Sequence, residues 1–461
     1  MTGITDRASS LRDSANRHLW MGGRDWQSME PGGDPLVVVS GKGIRVSDSE
    51  GNSYIDVNAG HSFVNVGYGR DEIAEAVHTQ AAGLNYFPQM TTVASTVELC
   101  RRVAELAPGN LNRMFPVSGG SEAVETALKV ARAYYRRRSE PGRYKIVSRI
   151  GSNHGELGLS QWLGSEVKSR SDYEPSPAGM IYAPQPDSYR CSPGDMTPSE
   201  CAVRCAKAIE ELIEFHHPST VAAVIAEPIT RNGVVPGDEY WPMLREICNE
   251  YGILLIADEA TTGFGRTVKM FAIHHWGVEP DIMVVGGSMS SGYAPIGGMI
   301  ATEHVAGYFA SDKDALKHVF TFAGHPVSAA AAVHSIDIIC REQLVDNAAQ
   351  VGGYLLESLT TLIADHPIIG DVRGRGLLMG MELVSDRKTK ARFDPAIGIP
   401  KRLTSAFRKQ GLILDVRGDA VQVAPPLTTT KDDADEIVPV SYTHLRAHET
   451  EADLVCRLLL E

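Results

Sequence analysis

From about residue 70 the chain alternates between two apolar patterns. DEIAEAVHTQAAG (Asp71–Gly83) and STVELCRRVAELA (Ser95–Ala107) place their apolar residues at helical spacing. Short, continuous apolar runs follow: YKIVSR (Tyr144–Arg149), GMIYAP (Gly179–Pro184), VAAVIAEP (Val221–Pro228), ILLIADEA (Ile253–Ala260) and IMVVGG (Ile282–Gly287). Runs of that kind are strands buried on both faces, so the pattern predicts an α/β fold with a mainly parallel sheet covered by helices. Upstream, LVVVSGKGIRVSDSEGNSYIDV (residues 36–57) reads as short antiparallel strands with a turn at Ser49–Asn52. After about residue 330, AAAAVHSIDIICREQL reads as a helix, and DVRGRGLLMGMELV, LILDVRG and VQVAPPL as strands. These suit a smaller α+β domain built from both chain ends. The expected division is 1–65 joining the small domain, 66–330 as the large domain, 331–440 as the small domain, and a separate tail from 441. The Ser/Pro/Asp-rich stretch Ser165–Glu200 reads as a surface excursion or the rim of a site.

Composition narrows the function classes. The 461 residues are 43% hydrophobic and 22% charged, with a net charge of −13, so nucleic acid and anionic membrane are poor partners and small molecules are better ones. No run approaches the ~20 apolar residues of a membrane span and the N-terminus lacks a signal-peptide core, which predicts a cytoplasmic protein. Seven scattered cysteines argue for reduced thiols. Cys201 and Cys205 share a helix face, but no second ligand pair at zinc spacing accompanies them, so no metal is expected.

Ligands of such sheets sit beyond the carboxyl ends of the strands. There this chain places Asn153 and His154, Glu227, Asp258 and Glu259, and Gly286 and Gly287. In SGGSEAVETALKVARAYY, from Ser118, two glycines and Ser121 precede a helix, an arrangement that either holds a phosphate or simply caps the helix. A carboxylate such as Asp258, ending a buried strand, needs a cation or donor, either a protonated ring nitrogen or a structural partner. Thr321 precedes GHP (Gly324–Pro326) and adds a hydroxyl near another helix start.

Together these motifs resemble the class III (omega-type) aminotransferases. Over roughly Arg17–Val438 the resemblance rests on RHLW, SGGSEAVETALKVAR, the HG of NHG, AEP, IADEATTGFGRT, PDIM…SGYAPIGG, TFAGHPVSAAAA, VRGRGLLMGMEL and APPL in order. It implies the fold-type I architecture, with a seven-stranded-type sheet, and pyridoxal 5′-phosphate (PLP) or its pyridoxamine form. Gly120 and Ser121 would hold the phosphate, and Asp258 would pair with the ring nitrogen. Glu227 would lie near cofactor or substrate, and Thr321 would reach the partner's phosphate in a homodimer. Trp20 would line the substrate pocket. The substrates would be an amine or amino acid and a 2-oxo acid.

The family's PLP lysine stands six residues after the aspartate of PDI, which is Asp281 here, and that position is Gly287. No lysine lies between Lys269 and Lys313. An aromatic residue usually precedes HG, and here it is Asn153; a valine usually covers the ring, and here it is Ala260. The arginine that often grips the substrate carboxylate is replaced by Asp415, with Arg417 two residues on as a substitute. The lysine both holds the cofactor and moves a proton, and a positioned proton carrier is worth about 10²–10⁴-fold. Transamination is therefore expected to be impaired, with PLP held non-covalently. His154 is a candidate base, although the family carries a histidine there too. The alternatives are a non-catalytic protein that binds PLP, pyridoxamine phosphate or another phosphorylated ligand, and lysine-independent PLP chemistry such as decarboxylation or elimination. From about Ser441 the sequence resembles a translated sequencing adapter, so Ser441–Glu461 is expected to be non-native.

Overall fold

The computed structural model of the protein describes residues 11–22, 35–88, 91–164, 170–191, 196–311 and 313–438. The tail from Ser441 lies outside these residues.

Strands β1 (Val38–Lys42), β2 (Arg45–Asp48) and β3 (Ser53–Asp56) form the antiparallel meander. Asp48 Oδ1 makes its turn by accepting the N–H groups of Glu50 and Asn52, each at 2.9 Å, while Gly51 takes φ +90°.

The central sheet has seven strands: β4 (Leu111–Val117), β5 (Lys145–Arg149), β6 (Met180–Ala183), β7 (Val221–Ala226), β8 (Leu254–Asp258), β9 (Ile282–Val285) and β10 (Gly297–Thr302). Their spatial order is β4-β10-β9-β8-β7-β5-β6. β9, β8, β7, β5 and β6 run parallel, and β10 is antiparallel to both of its neighbours. The five predicted apolar runs are the five parallel neighbours. Every residue of β7, β8 and β9 is buried, as two covered faces require. β4 and β10 lack that signal. LNRMFPV carries Arg113 and Pro116 in an edge strand, where a proline is tolerated, and β10 opens on two glycines.

The helix Gly120–Arg137 packs on this sheet through Ala123, Ala127, Val130, Ala131 and Tyr134, a stripe at helical spacing. The helix Pro198–Phe215 starts with a capping box: Thr197 Oγ1 accepts from Glu200 N (3.3 Å) and Thr197 N donates to Glu200 Oε2 (2.9 Å).

β11 (Ile369–Arg375), β12 (Leu378–Leu383), β14 (Asp415–Arg417) and β15 (Ala420–Val423) form an antiparallel sheet, while β13 (Leu412–Ile413) pairs in parallel with β3. The two ends of the chain therefore share a sheet. Arg266, fully buried, ties these parts together by donating to the carbonyls of Leu377 and Pro425 (2.8 Å each) and to Asn65 Oδ1 (2.6 Å).

One expectation fails. Cys191 and Cys201 form a disulfide, with Cα atoms 6.1 Å apart, while Cys100, Cys205, Cys248 and Cys340 are free. The segment after β6 folds back on the helix Pro198–Phe215, a closeness that spacing along the chain does not reveal. No helix among the described residues is long and apolar enough to cross a membrane.

Candidate active site

Five strand ends converge. After β4 the chain turns through Gly119, in extended conformation, into the helix Gly120–Arg137, which directs free N–H groups outward. Ser121 Oγ accepts the N–H of Glu156 at 3.2 Å, and a Cβ at Gly155 would come within 2.6 Å of that oxygen. This packs the turn after β5 against the helix start. A Cβ at Gly120 would meet Ala260 Cβ at 3.3 Å, and one at Gly286 would meet it at 3.1 Å, so the ends of β4, β8 and β9 crowd around Ala260.

His154 and Asp258 are both buried, with His154 Nδ1 2.7 Å from Asp258 Oδ2. A carboxylate only accepts, so Nδ1 carries the proton. His154 Nε2 is buried without a hydrogen-bond partner among the described residues. Asp258 Oδ1 accepts from Ala260 N at 3.1 Å. The next residue, Glu259, is fully buried, where Ala272 N (3.0 Å), Ile273 N (2.7 Å) and the Thr262 hydroxyl donate to it. Burial pushes its carboxyl up to about 7, against the pull of those donors.

Glu227, at the end of β7, is buried beside Arg149, at the end of β5. Arg149 Nη2 donates to Glu227 O (2.7 Å) and Oε2 (3.4 Å), and Asn153 N donates to Glu227 Oε1 (3.3 Å). Gly287 is half-buried and opens a short 3₁₀ turn, Gly287–Ser290. A Cβ there would lie 3.6 Å from Phe63 Cγ, an ordinary contact, and its φ is outside the left-handed region. The backbone at this position does not call for glycine.

A family model, aminotransferase class-III, matches residues 28–440. The chain belongs to the class III aminotransferases. It is 38% identical over 425 residues to an uncharacterized aminotransferase of Sinorhizobium fredii, covering 90% of this chain and 91% of that one. An (S)-enantioselective omega-transaminase from Thermomicrobium roseum matches with a TM-score of 0.92 and 36% identity, over 96% of this chain and 98% of that one. An amine transaminase from an uncultivated Pseudomonas species, solved in its PLP-bound form, matches with a TM-score of 0.88 and 34% identity, over 94% and 98% of the two chains.

Class III aminotransferases use PLP or its pyridoxamine form. The residues of this one fit the phosphate and the ring nitrogen, because the glycine turn at a helix start and the buried Asp258 carboxylate lie around one point. They offer no amine at position 287. A cavity of about 1380 Å³ is lined by Asn153, Glu227, Arg231, Arg417 and Cys205 among others. In this aminotransferase Asp415 Oδ2 is held by Arg417 Nε (2.7 Å), with Arg231 Nη2 and His61 Nδ1 at 3.8 Å. Burial lowers the Arg231 guanidinium to about 10, Arg417 adding to the effect, and burial likewise lowers His61.

Gly120, Ser121, Asn153, His154, Glu227, Asp258, Ala260 and Gly287 are thus brought together, while Arg417 lines the cavity and holds Asp415. Thr321 is exposed, its carbonyl accepting from the Tyr86 hydroxyl at 2.9 Å, and Trp20 is 90% exposed; neither reaches this cluster within one chain. Arg149, Arg231 and His61 are site residues that the sequence pattern did not single out. Arg149 carried a usable signal, a charge closing the apolar run YKIVSR.

Proposed function

We propose that this class III aminotransferase binds PLP or pyridoxamine phosphate without a covalent link, and that amino transfer between an amine or amino acid and a 2-oxo acid is strongly impaired. The reading rests on Gly287: the strand end, the turn and the free space around a Cβ suit a side chain, and none is present. When bound, the cofactor supplies an electron sink for chemistry at the substrate's amine-bearing carbon. Gly120 and Ser121 hold its phosphate at the helix N-terminus. Asp258, oriented by His154 Nδ1, keeps the ring nitrogen protonated. Glu227, neutralised by Arg149, sits at the substrate side with Asn153. The ring loses an aromatic neighbour at Asn153 and bulk at Ala260, which weakens its grip further. The nearest lysines along the chain are Lys269 and Lys313.

In the same proposal the protein is a cytoplasmic homodimer in which Thr321 meets the partner's cofactor phosphate and Trp20 closes the substrate pocket. The exposure of Trp20 (90%), Val319 (83%) and Phe322 (54%) in a single chain supports this. Arg231 and Arg417, which both line the cavity, would receive a substrate carboxylate, Arg417 while also holding Asp415.

The test is to add PLP, record the visible spectrum, reduce with borohydride and weigh the protein. Bound cofactor with no mass added to the chain is the expected result. A stable lysyl adduct would refute non-covalent binding, and no PLP binding would favour a binding protein for another phosphorylated ligand.

A further inference from the structure

We propose that Cys191, Cys201 and Cys205 form, in the reduced protein, a site for one thiophilic d¹⁰ metal ion such as Zn²⁺ or Cu⁺ on the wall of the charged cavity. Their three sulfurs lie within 4.8 Å of one another. Cys201 and Cys205 project from one face of the helix Pro198–Phe215, four residues apart, and both are buried. Cys191 arrives from the segment after β6. The Cys201 and Cys205 sulfurs are 4.0 Å apart. A Zn–S bond of ~2.3 Å in tetrahedral geometry places thiolates about 3.8 Å apart, so this edge of the site needs almost no movement. No histidine or carboxylate joins the cluster among the described residues, and a donor set of sulfur alone selects soft ions. Cys191 and Cys205 line the cavity, which gives an ion a route in and leaves a coordination position facing solvent.

The surroundings compensate the charge. Three thiolates around a divalent ion carry a net charge of −1. Arg149, 1% exposed, has Nε and Nη1 without hydrogen-bond partners among the described residues. Arg149 and Arg204 both lie near Cys205. A buried guanidinium with two idle donors suits an anionic complex better than it suits three neutral sulfurs.

The Cys191–Cys201 disulfide is the oxidised, metal-free form of the same site. A dithiol reductant delivers two electrons and two protons to it, becoming a disulfide itself and leaving two thiols. Binding of the ion then releases one proton from each of the three thiols.

The full-length protein, reduced and freed of reductant under anaerobic conditions, is titrated with Cd²⁺ while the sulfur-to-metal charge-transfer absorption is followed. One tight equivalent per chain is expected, with none in the oxidised protein. Cys191→Ser, Cys201→Ser and Cys205→Ser should each weaken binding by more than the ~10–100-fold typical of losing an outer-shell partner, and Cys100→Ser should leave it unchanged. Because Cys201 is fully buried, the half-buried Cys191 provides the variant that tests the same site with the packing kept. No tight band in reduced wild type, or undiminished binding in Cys191→Ser and Cys205→Ser, would overturn the proposal.

Discussion

Gly287→Lys tests the functional proposal most directly. The backbone at 287 is outside the left-handed region, and the added Cβ meets nothing nearer than Phe63 Cγ at 3.6 Å, with Phe63 Cδ2 at 3.8 Å and Cβ at 3.9 Å. Replacing glycine in a conformation that any residue adopts removes unfolded-chain entropy worth about 0.4–1 kcal/mol, so the variant should melt no lower than wild type. The new side chain starts just after β9, which pairs with β8, the strand that ends on Asp258. A positioned proton carrier contributes about 10²–10⁴-fold, or roughly 3–5 kcal/mol of barrier at ~1.4 kcal/mol per decade. The assay mixes PLP-loaded protein with a panel of primary amines, then with a 2-oxo acid, and follows conversion of the cofactor spectrum in each half-reaction. Gly287→Lys should exceed wild type by at least two decades for some amine. Equal rates in the two proteins, with both folded and both binding PLP, would refute the assignment of 287 and point to another group as proton carrier.

Three further outcomes follow from the geometry. Asp258→Asn removes the anion that pairs with the ring nitrogen, and a hydrogen bond to a charged group is worth about 1.5–3 kcal/mol, so PLP should bind roughly 10–100-fold more weakly in an absorbance titration. Glu259 has a folded pKa of about 7, raised from 4.5 by burial, so its contribution to stability is present below about 4.5 and lost as pH rises through about 7. Wild type should lose on the order of 3 kcal/mol over that window in urea unfolding relative to Glu259→Gln, and parallel pH profiles would sink the idea. Arg266→Met leaves the carbonyls of Leu377 and Pro425 and the side chain of Asn65 buried without their donor, and should destabilise the protein by about 3–5 kcal/mol, read as a lowered melting temperature.

The fold was legible where burial on both faces writes a continuous apolar run, as in VAAVIA, LLIAD and IMVV. It was not legible in LNRMFPV or GGMIAT, because β4 sits at the sheet edge with a proline and an arginine and among the described residues pairs only with β10, far along the chain, while β10 opens on two glycines. Asp258, His154 and Glu227, which the sequence places beyond the carboxyl ends of the strands, do lie there in the structure, with His154 against Asp258 and Glu227 beside Asn153. Arg231 and His61 were not, because their role comes from loops meeting over Asp415, and nothing in their local sequence marks it.

By itself the sequence determined the alternation of strands and helices, the family, and the absence of an amine at position 287, all of which are properties of residue type and order. Only the tertiary structure decided that Arg149 lies between Glu227 and Cys205, that Cys191 returns to Cys201, and that the backbone at Gly287 has room for a side chain. Those facts depend on distance and burial, which chain connectivity does not set: charges and thiols far apart in sequence interact strongly only after folding removes the water between them.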